Sequence, residues 1–325
     1  MNSCQVGPFS LVNSMQHLMA DARAAARNTI LQYVSRNVID TVRYCVVQWP
    51  RRGEAQQTKQ IIEQAGLEPE FLDYEMLRKL QGAYRVPGEY GYDPQTLKIR
   101  GAARARQLLR FPRVKRAQTF LELGCWDGMV CAALAEQGRH ATGIDYRSTG
   151  FDSRVQGQNV ELLEMDASNL QFEDNSFDCV FSYDAFEHFE NPEAVLQEAI
   201  RVTAKNGHIY LDFGPLYYSP YGEHAYRSIT VPYCQFLFSR ETLCRFVEEK
   251  SLLHIDFKHV NGWSLDRYRS LWRKYSYALT QRSYEEAVDW SHLGLIQQYP
   301  SCFKSEAVEF ENFTVSHIRV LFEKN

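Results

Sequence analysis

The 325-residue sequence has no uninterrupted apolar run of the roughly 18 to 20 residues that a membrane-spanning helix requires. Its most hydrophobic early stretch, Val38 to Trp49, is broken by Asp40 and Arg43, which excludes a spanning segment there. The first twenty residues contain no Lys or Arg, so a basic secretory leader is not expected and a cytoplasmic location is. The eight cysteines include no C-x-x-C pair and no histidine partners at zinc-finger spacing, which argues against structural zinc, and no metal-ligand set is read from the sequence. Instead Cys4, Cys45, Cys125, Cys131, Cys179, Cys234, Cys244 and Cys302 fall mostly in apolar periodic segments and are expected as small buried hydrophobes. Bulk positive charge is lacking too: 36 basic against 40 acidic residues leave a net charge of −4. Polyanion binding driven by overall potential is thereby excluded, and any nucleic-acid contact would need a local patch. Internal repeats and low-complexity tracts are absent.

What remains is a globular composition, 45% hydrophobic and 23% charged, in a chain long enough for about two domains. From Ser14 to Gln81 the pattern is helical, with Ile30, Val34, Val38, Val42 and Val46 recurring every fourth residue. A Gly-, Pro- and Tyr-rich loop from Gly82 to Pro94 then marks a boundary, giving a helical N-terminal region over 1–95 and a second domain over 96–325. From Thr119 short β-type runs alternate with helical segments: TFLEL, HATGID, NVELLEMD, FDCVFSY and GHIYLDF. This alternation predicts an α/β fold, a doubly wound parallel sheet with helices on both faces. Asn191 and Pro192 sign the start of the helix before the fifth strand, and Gly207 is expected just past its end. A sixth strand is expected at LHIDFKHV (253–260) and a last one at TVSHIRVLFEK (314–324). Between them residues 261–313 are expected to form a helical, Trp- and Tyr-rich lid.

The strongest local signal is LELGCWDG, residues 121–128, an apolar strand running through a Gly-bounded turn into the helix VCAALAEQG. Such a turn lets backbone N–H groups approach a ligand, because Gly124 and Gly128 present no Cβ. On its own it is equally a tight turn with no ligand. Seventeen residues past Gly128, Asp145 ends the second strand, where a carboxylate can accept hydrogen bonds from both ribose hydroxyls of a nucleoside. Asp166 ends the third strand, where a carboxylate beside the Ala167 backbone can meet an adenine edge. A dinucleotide-binding dehydrogenase is the competing reading, but it wants a third glycine, and Asp127 adds negative charge where a diphosphate would sit. A cationic ligand suits that turn better.

These residues resemble the class I S-adenosylmethionine-dependent methyltransferases, especially their small-molecule group, from about Thr119 to Phe213. Glu122 to Gly128 is similar to the family's first motif, Asp145 to its ribose-binding acid, and Asp166 and Ala167 to its adenine contact. FDCVFSYDAFEHF is similar to its fourth-strand motif, and IRVTAKNGHIYLDF to the segment leading into its fifth strand. The family usually carries a glycine where this chain has Trp126. The resemblance implies a Rossmann-like sheet of seven strands with the last one antiparallel, and S-adenosyl-L-methionine as cofactor. It places Cys125, Trp126, Tyr146 and Ser182 beside the first-motif and strand-end residues, with Arg100 reaching the cofactor's carboxylate.

Methyl transfer from a sulfonium is an in-line displacement that needs mainly alignment, plus a base when a hydroxyl must lose its proton. His188 and His224 are the candidate bases, and Tyr183, Asp184, Tyr218 and Glu223 are candidate substrate contacts. Each histidine has a plain alternative, a backbone hydrogen bond for His188 and an exposed loop position for His224. The aromatic loop from Gly214 to Tyr233 and the insertion suggest an apolar pocket for a small organic acceptor, with oxygen favoured as the acceptor atom. Packing of the insertion onto the core is the alternative for any single ring. Lys98 to Arg116 holds eight basic residues and no acid. It fits either phosphate contact or a solvated helix face, so a macromolecular acceptor and a non-catalytic scaffold stay open beside the small-molecule reading.

Overall fold

The computed structural model describes residues 51–85, 91–304, 306 and 308–325. The helical run expected between Ser14 and Pro50, Cys4, Cys45 and residues 86–90 of the Gly/Pro/Tyr loop lie outside the described residues. The chain divides into two units, Met1–Gln57 and Thr58–Asn325. In the first, Arg51 pairs with Glu54 at 2.7 Å where helix α1 (Arg52–Gln64) opens.

In the second unit Asp73 caps α2 (Tyr74–Gln81) by accepting from the Met76 N–H. Residues before the expected boundary at 95 bond directly to residues 228–237: Leu72 N–H donates to Leu237 O, and Gln81 is bonded to Ser228 and Thr230. Asp93 caps α3 (Pro94–Leu109), and the expected alternation of strands and helices then unfolds: β1 (Thr119–Leu123), α4 (Met129–Ala135), β2 (His140–Asp145), β3 (Val160–Glu164), β4 (Phe177–Tyr183), α5 (Pro192–Val202) and β5 (Thr203–Phe213). Short helices α6 (Cys234–Leu237) and α7 (Arg240–Glu249) follow, then α8 (Leu265–Lys274), β6 (Leu279–Val288), α9 (Leu293–Gln298), α10 (Pro300–Lys304), α11 (Glu311–Thr314) and β7 (Val315–Lys324).

The sheet has seven strands in the order β3-β2-β1-β4-β5-β7-β6, with β7 antiparallel to both neighbours and the first five strands parallel. This is the expected Rossmann-like arrangement. The order reverses between β1 and β4, and a crevice forms outside the carboxyl ends of the strands at such a point. One face is sealed by α3 and α4, where Ala105, Leu108, Val130 and Leu134 pack on Phe120 and Phe181. The other is sealed by α5 and α8, where Leu196, Val202, Leu271 and Trp272 pack on Leu121, Val180, Ile209 and Phe322.

Three expectations need correction. Residues 253–260 form no strand: Leu253 and His254 are exposed and only Ile255 is buried, so the alternation a half-buried strand requires is missing. The sixth strand is Leu279–Val288 (LTQRSYEEAV), inside the segment expected to be helical. It escapes a hydrophobic pattern because it is an edge strand whose charges are paired, Arg282 with Glu323 of β7 at 2.9 Å and Glu286 with Arg269 of α8. Nor is the insertion only a lid, because Leu265, Tyr268, Leu271 and Trp272 of α8 are core residues. Finally, α5 ends at Val202 and Thr203 follows in extended backbone, so Gly207 lies within β5 rather than at the helix end, and Asn206 takes the left-handed conformation beside it.

Candidate active site

Glu122 is the last-but-one residue of β1 and is 2% exposed. Its Oε2 accepts from the Cys131 thiol of α4 at 3.2 Å. Burial away from water pushes its pKa up to about 8, and the negative charges of Asp127 and Asp145 add to the rise while Cys131 and Arg104 oppose it. The chain then turns sharply. Gly124 (φ 71°), Trp126 (φ 45°) and Gly128 (φ 73°) all adopt left-handed backbone, and the N–H groups of Gly124 and Cys125 both donate to Ile144 O at 2.9 Å. A Cβ at Gly124 would lie 2.5 Å from the Ala185 Cβ, so this position requires glycine on conformation and on space.

Asp145, at the end of β2, accepts from the Trp126 N–H at 3.1 Å and the Arg147 N–H at 3.4 Å, and its pKa is raised by burial. Asp127 accepts from the Met129 N–H at 2.8 Å and pairs with Arg100 at 3.2 Å. Glu122, Asp127 and Asp145 thus share one electrostatic neighbourhood around the turn. Such a carboxylate-rich turn favours a cationic ligand over a diphosphate, and with glycine at both ends it fits the nucleoside and sulfonium of the implied cofactor.

The other expected cofactor residues divide. Asp166 lies two residues past the end of β3, the next strand outward; its carboxylate accepts from the Ser168 N–H and hydroxyl at 2.8 Å, and Met165 N–H ties that strand end to Asp145 O. Ala167 is buried beside it, and Ser182 is buried with its hydroxyl on Leu123 O at 2.8 Å. Cys125 is buried under the turn, whereas Trp126 (53% exposed) and Tyr146 (65%) stand at its rim. The Trp126 ring lies against Gly150, where an added Cβ would approach it to 3.0 Å. Arg100 reaches the turn but spends its guanidinium on Asp127 and on Gly91 O.

Of the expected substrate contacts, Tyr183 is misplaced. It is 3% exposed, its hydroxyl donates to Arg104 O at 2.9 Å, and its ring packs on Phe181 and Tyr210. Strand alternation puts residues 181 and 183 on the same face, the one covered by α3. Asp184 follows in left-handed backbone (φ 47°), pairs with Arg104, and donates its N–H to Asp212 O at 2.8 Å. Tyr218 stacks on Phe236 at 5.5 Å, and Glu223 is buried, its carboxyl pushed up to about 7 by desolvation. Trp263, Tyr268, Trp272 and Tyr275 belong to the core, so packing accounts for most of the aromatic richness of the insertion. The basic run from Lys98 is spent in part on internal ion pairs, Lys98 with Glu136, Arg100 with Asp127, Arg104 with Asp184 and Arg113 with Glu323.

The two expected histidines do meet. The His188 and His224 ring centroids are 4.8 Å apart, and His259 completes a triangle at 4.2 Å from His188 and 5.8 Å from His224. His188 Nδ1 donates to His259 O at 2.6 Å, and His224 Nε2 donates to Pro215 O at 2.9 Å. Burial lowers the pKa of His188, and burial with the neighbouring rings pushes His224 down to about 3. His259 was not expected here: it sits 71 residues from His188, in a segment read as a strand, and no sequence spacing signals the meeting.

Beneath this geometry lies a recognisable sequence. Residues 121–211 match the family model described as "Methyltransferase domain". The chain is similar to norajmaline N-methyltransferase of Rauvolfia serpentina, 32% identical over 139 residues that cover 37% of this chain and 48% of that one. It is also similar to fatty-acid O-methyltransferase of Mycolicibacterium smegmatis, 32% identical over 111 residues that cover 32% of this chain and 40% of that one. The chain therefore spans less than half the length of these curated relatives. Among solved structures it resembles the PH0226 protein of Pyrococcus horikoshii OT3, with 18% identity, a TM-score of 0.45, and coverage of 75% of this chain and 99% of that one.

Proposed function

Because residues 121–211 match a methyltransferase-domain model, we propose that the chain is a class I S-adenosylmethionine-dependent methyltransferase that transfers a methyl group from S-adenosyl-L-methionine to a small organic acceptor. The observation that carries this reading is Asp145, held at the end of β2 by the Trp126 N–H and facing the same turn as Glu122 and Asp127. There its carboxylate takes the two ribose hydroxyls, while Glu122 and Asp127 favour the cationic end of the same ligand. Asp166 and Ala167 contact the adenine edge. The cofactor supplies a methyl group on a positively charged sulfur, already activated for displacement.

What the chain adds is alignment and exclusion of water. The acceptor enters from the side of the loop 214–233. His188 and His224 each spend one ring nitrogen on a backbone carbonyl; His188 keeps the other to receive the acceptor's proton, while His224, its pKa held down to about 3 by burial, is a weak base and serves to orient the acceptor. The relatives include both N- and O-methyltransferases. The oxygen preference rests on the histidines, since a hydroxyl acceptor must lose a proton during transfer. Calorimetry with S-adenosyl-L-methionine tests the reading. Asp145→Ala should weaken binding about 10- to 100-fold, since hydrogen bonds to a charged acceptor contribute about 1.5–3 kcal/mol. Unchanged affinity would remove Asp145 from the ribose site and the reading with it.

A further inference from the structure

From the histidine triangle we infer a binding site for a divalent transition metal of the zinc class, with His188, His224 and His259 as ligands. One ring nitrogen from each lies within 4.8 Å of the other two. Zinc–imidazole bonds of about 2.0–2.1 Å place tetrahedral ligands roughly 3.3 Å apart, so the ring nitrogens need to close by at most about 1.5 Å. The backbone fixes which nitrogen is offered. His188 Nδ1–H is tied to His259 O, which leaves the Nε2 lone pair, and His224 Nε2–H is tied to Pro215 O, which leaves Nδ1. A metal-bound histidine commonly has its other ring nitrogen anchored this way.

The surroundings point the same way. Glu187 is 1% exposed, and its Oε1 lies 3.9 Å from His188 Nε2. Its Oε1 accepts from the Gly214 N–H at 3.0 Å, while its Oε2 has no hydrogen-bond partner among the described contacts. A cation between the rings gives that buried oxygen a counter-charge. The third ligand is brought in by bonds unrelated to any metal: Asn261 N–H donates to Glu187 O, and Asn261 Nδ2 to Phe186 O, which pins the His259 turn against the end of β4. Three imidazoles leave at least one coordination position for water or for an acceptor's oxygen, nitrogen or sulfur. That last role rests on the proposed methyl transfer and would replace proton acceptance by His188, whose one free nitrogen the metal would occupy; metal binding itself does not rest on that reading.

The test is calorimetry of the chelator-treated full chain with zinc chloride, alongside the visible spectrum of the cobalt(II)-loaded protein. One equivalent of zinc should bind, and cobalt should give the d–d bands of a four- or five-coordinate site. Since His259 is exposed, His259→Gln should keep the fold, checked by its melting curve, while weakening zinc at least about 100-fold and abolishing the cobalt bands. Glu187→Gln should weaken zinc about 10- to 100-fold. Absence of zinc binding by the wild-type chain, or a folded His259→Gln that binds as tightly as wild type, overturns the assignment. Neither result bears on cofactor binding, which the Asp145 experiment measures separately.

Discussion

Replacing Glu122 by glutamine should stabilise the protein relative to wild type as pH rises, while weakening the cofactor. The carboxyl of Glu122 is fully enclosed between β1 and α4, with Cys131 from α4, Asp127 from the turn, Arg104 from α3 and Asp145 from β2 around it. Its pKa is about 8 in the folded chain against an ordinary 4.5, burial being the main cause. Between those values the folded protein holds a proton that the unfolded chain has released, so each unit rise in pH costs about 1.4 kcal/mol of stability. Above about pH 8 both states are ionised and the loss levels off. The full window amounts to about 5 kcal/mol, comparable to the whole stability of a marginal domain. Glutamine fills nearly the same space and has no proton to release. Urea unfolding of both proteins from about pH 5.5 to about pH 8 should show the wild type losing about 3 kcal/mol more than the variant over that range. Cofactor affinity should fall in the variant, and the wild-type chain should release a proton when it binds at neutral pH, because the ligand's positive charge favours the ionised carboxylate. Parallel stability curves for the two proteins would refute the reasoning, for they would mean that Glu122 is already ionised in its enclosure.

Two further outcomes test the site's frame. Gly124→Ala places a Cβ 2.5 Å from Ala185 in left-handed backbone, and should cost about 2–4 kcal/mol, read as a lowered melting temperature; an unchanged melt would mean the turn relaxes freely. Tyr183→Phe should lose about 1 kcal/mol with its hydrogen bond to Arg104 O and leave kcat/KM for methyl transfer within about twofold. A large rate loss at unchanged stability would return Tyr183 to the acceptor site.

The parts of this molecule that sequence reasoning reached are those governed by local chemistry. Gly124, Gly128 and Asp145 could be placed because a strand, a turn and a helix start within a few residues of one another, and because strand-end position follows from a period of two. Asn191 and Pro192 start α5 as their capping chemistry requires. What escaped depends on neighbours far along the chain. The strand Leu279–Val288 has no apolar alternation of its own and is defined by pairing with β7. Tyr183 looked like a site residue because it stands at a strand end near the candidate base His188, but the face it takes is decided by α3. His259 lies beside His188 through a hydrogen bond from the His188 ring to the His259 carbonyl, spanning 71 residues.

The segment between the sixth-strand expectation and β7 reads as an appendage in sequence, yet it supplies an outer strand and a helix whose Trp272 touches Phe186 and Phe322. Such a piece is not modular. Trimming the chain toward a minimal catalytic core, or exchanging this stretch to change specificity, would leave α5 alone to cover one side of the sheet, so redesign of the acceptor end is better confined to the loop from Gly214 to Tyr233.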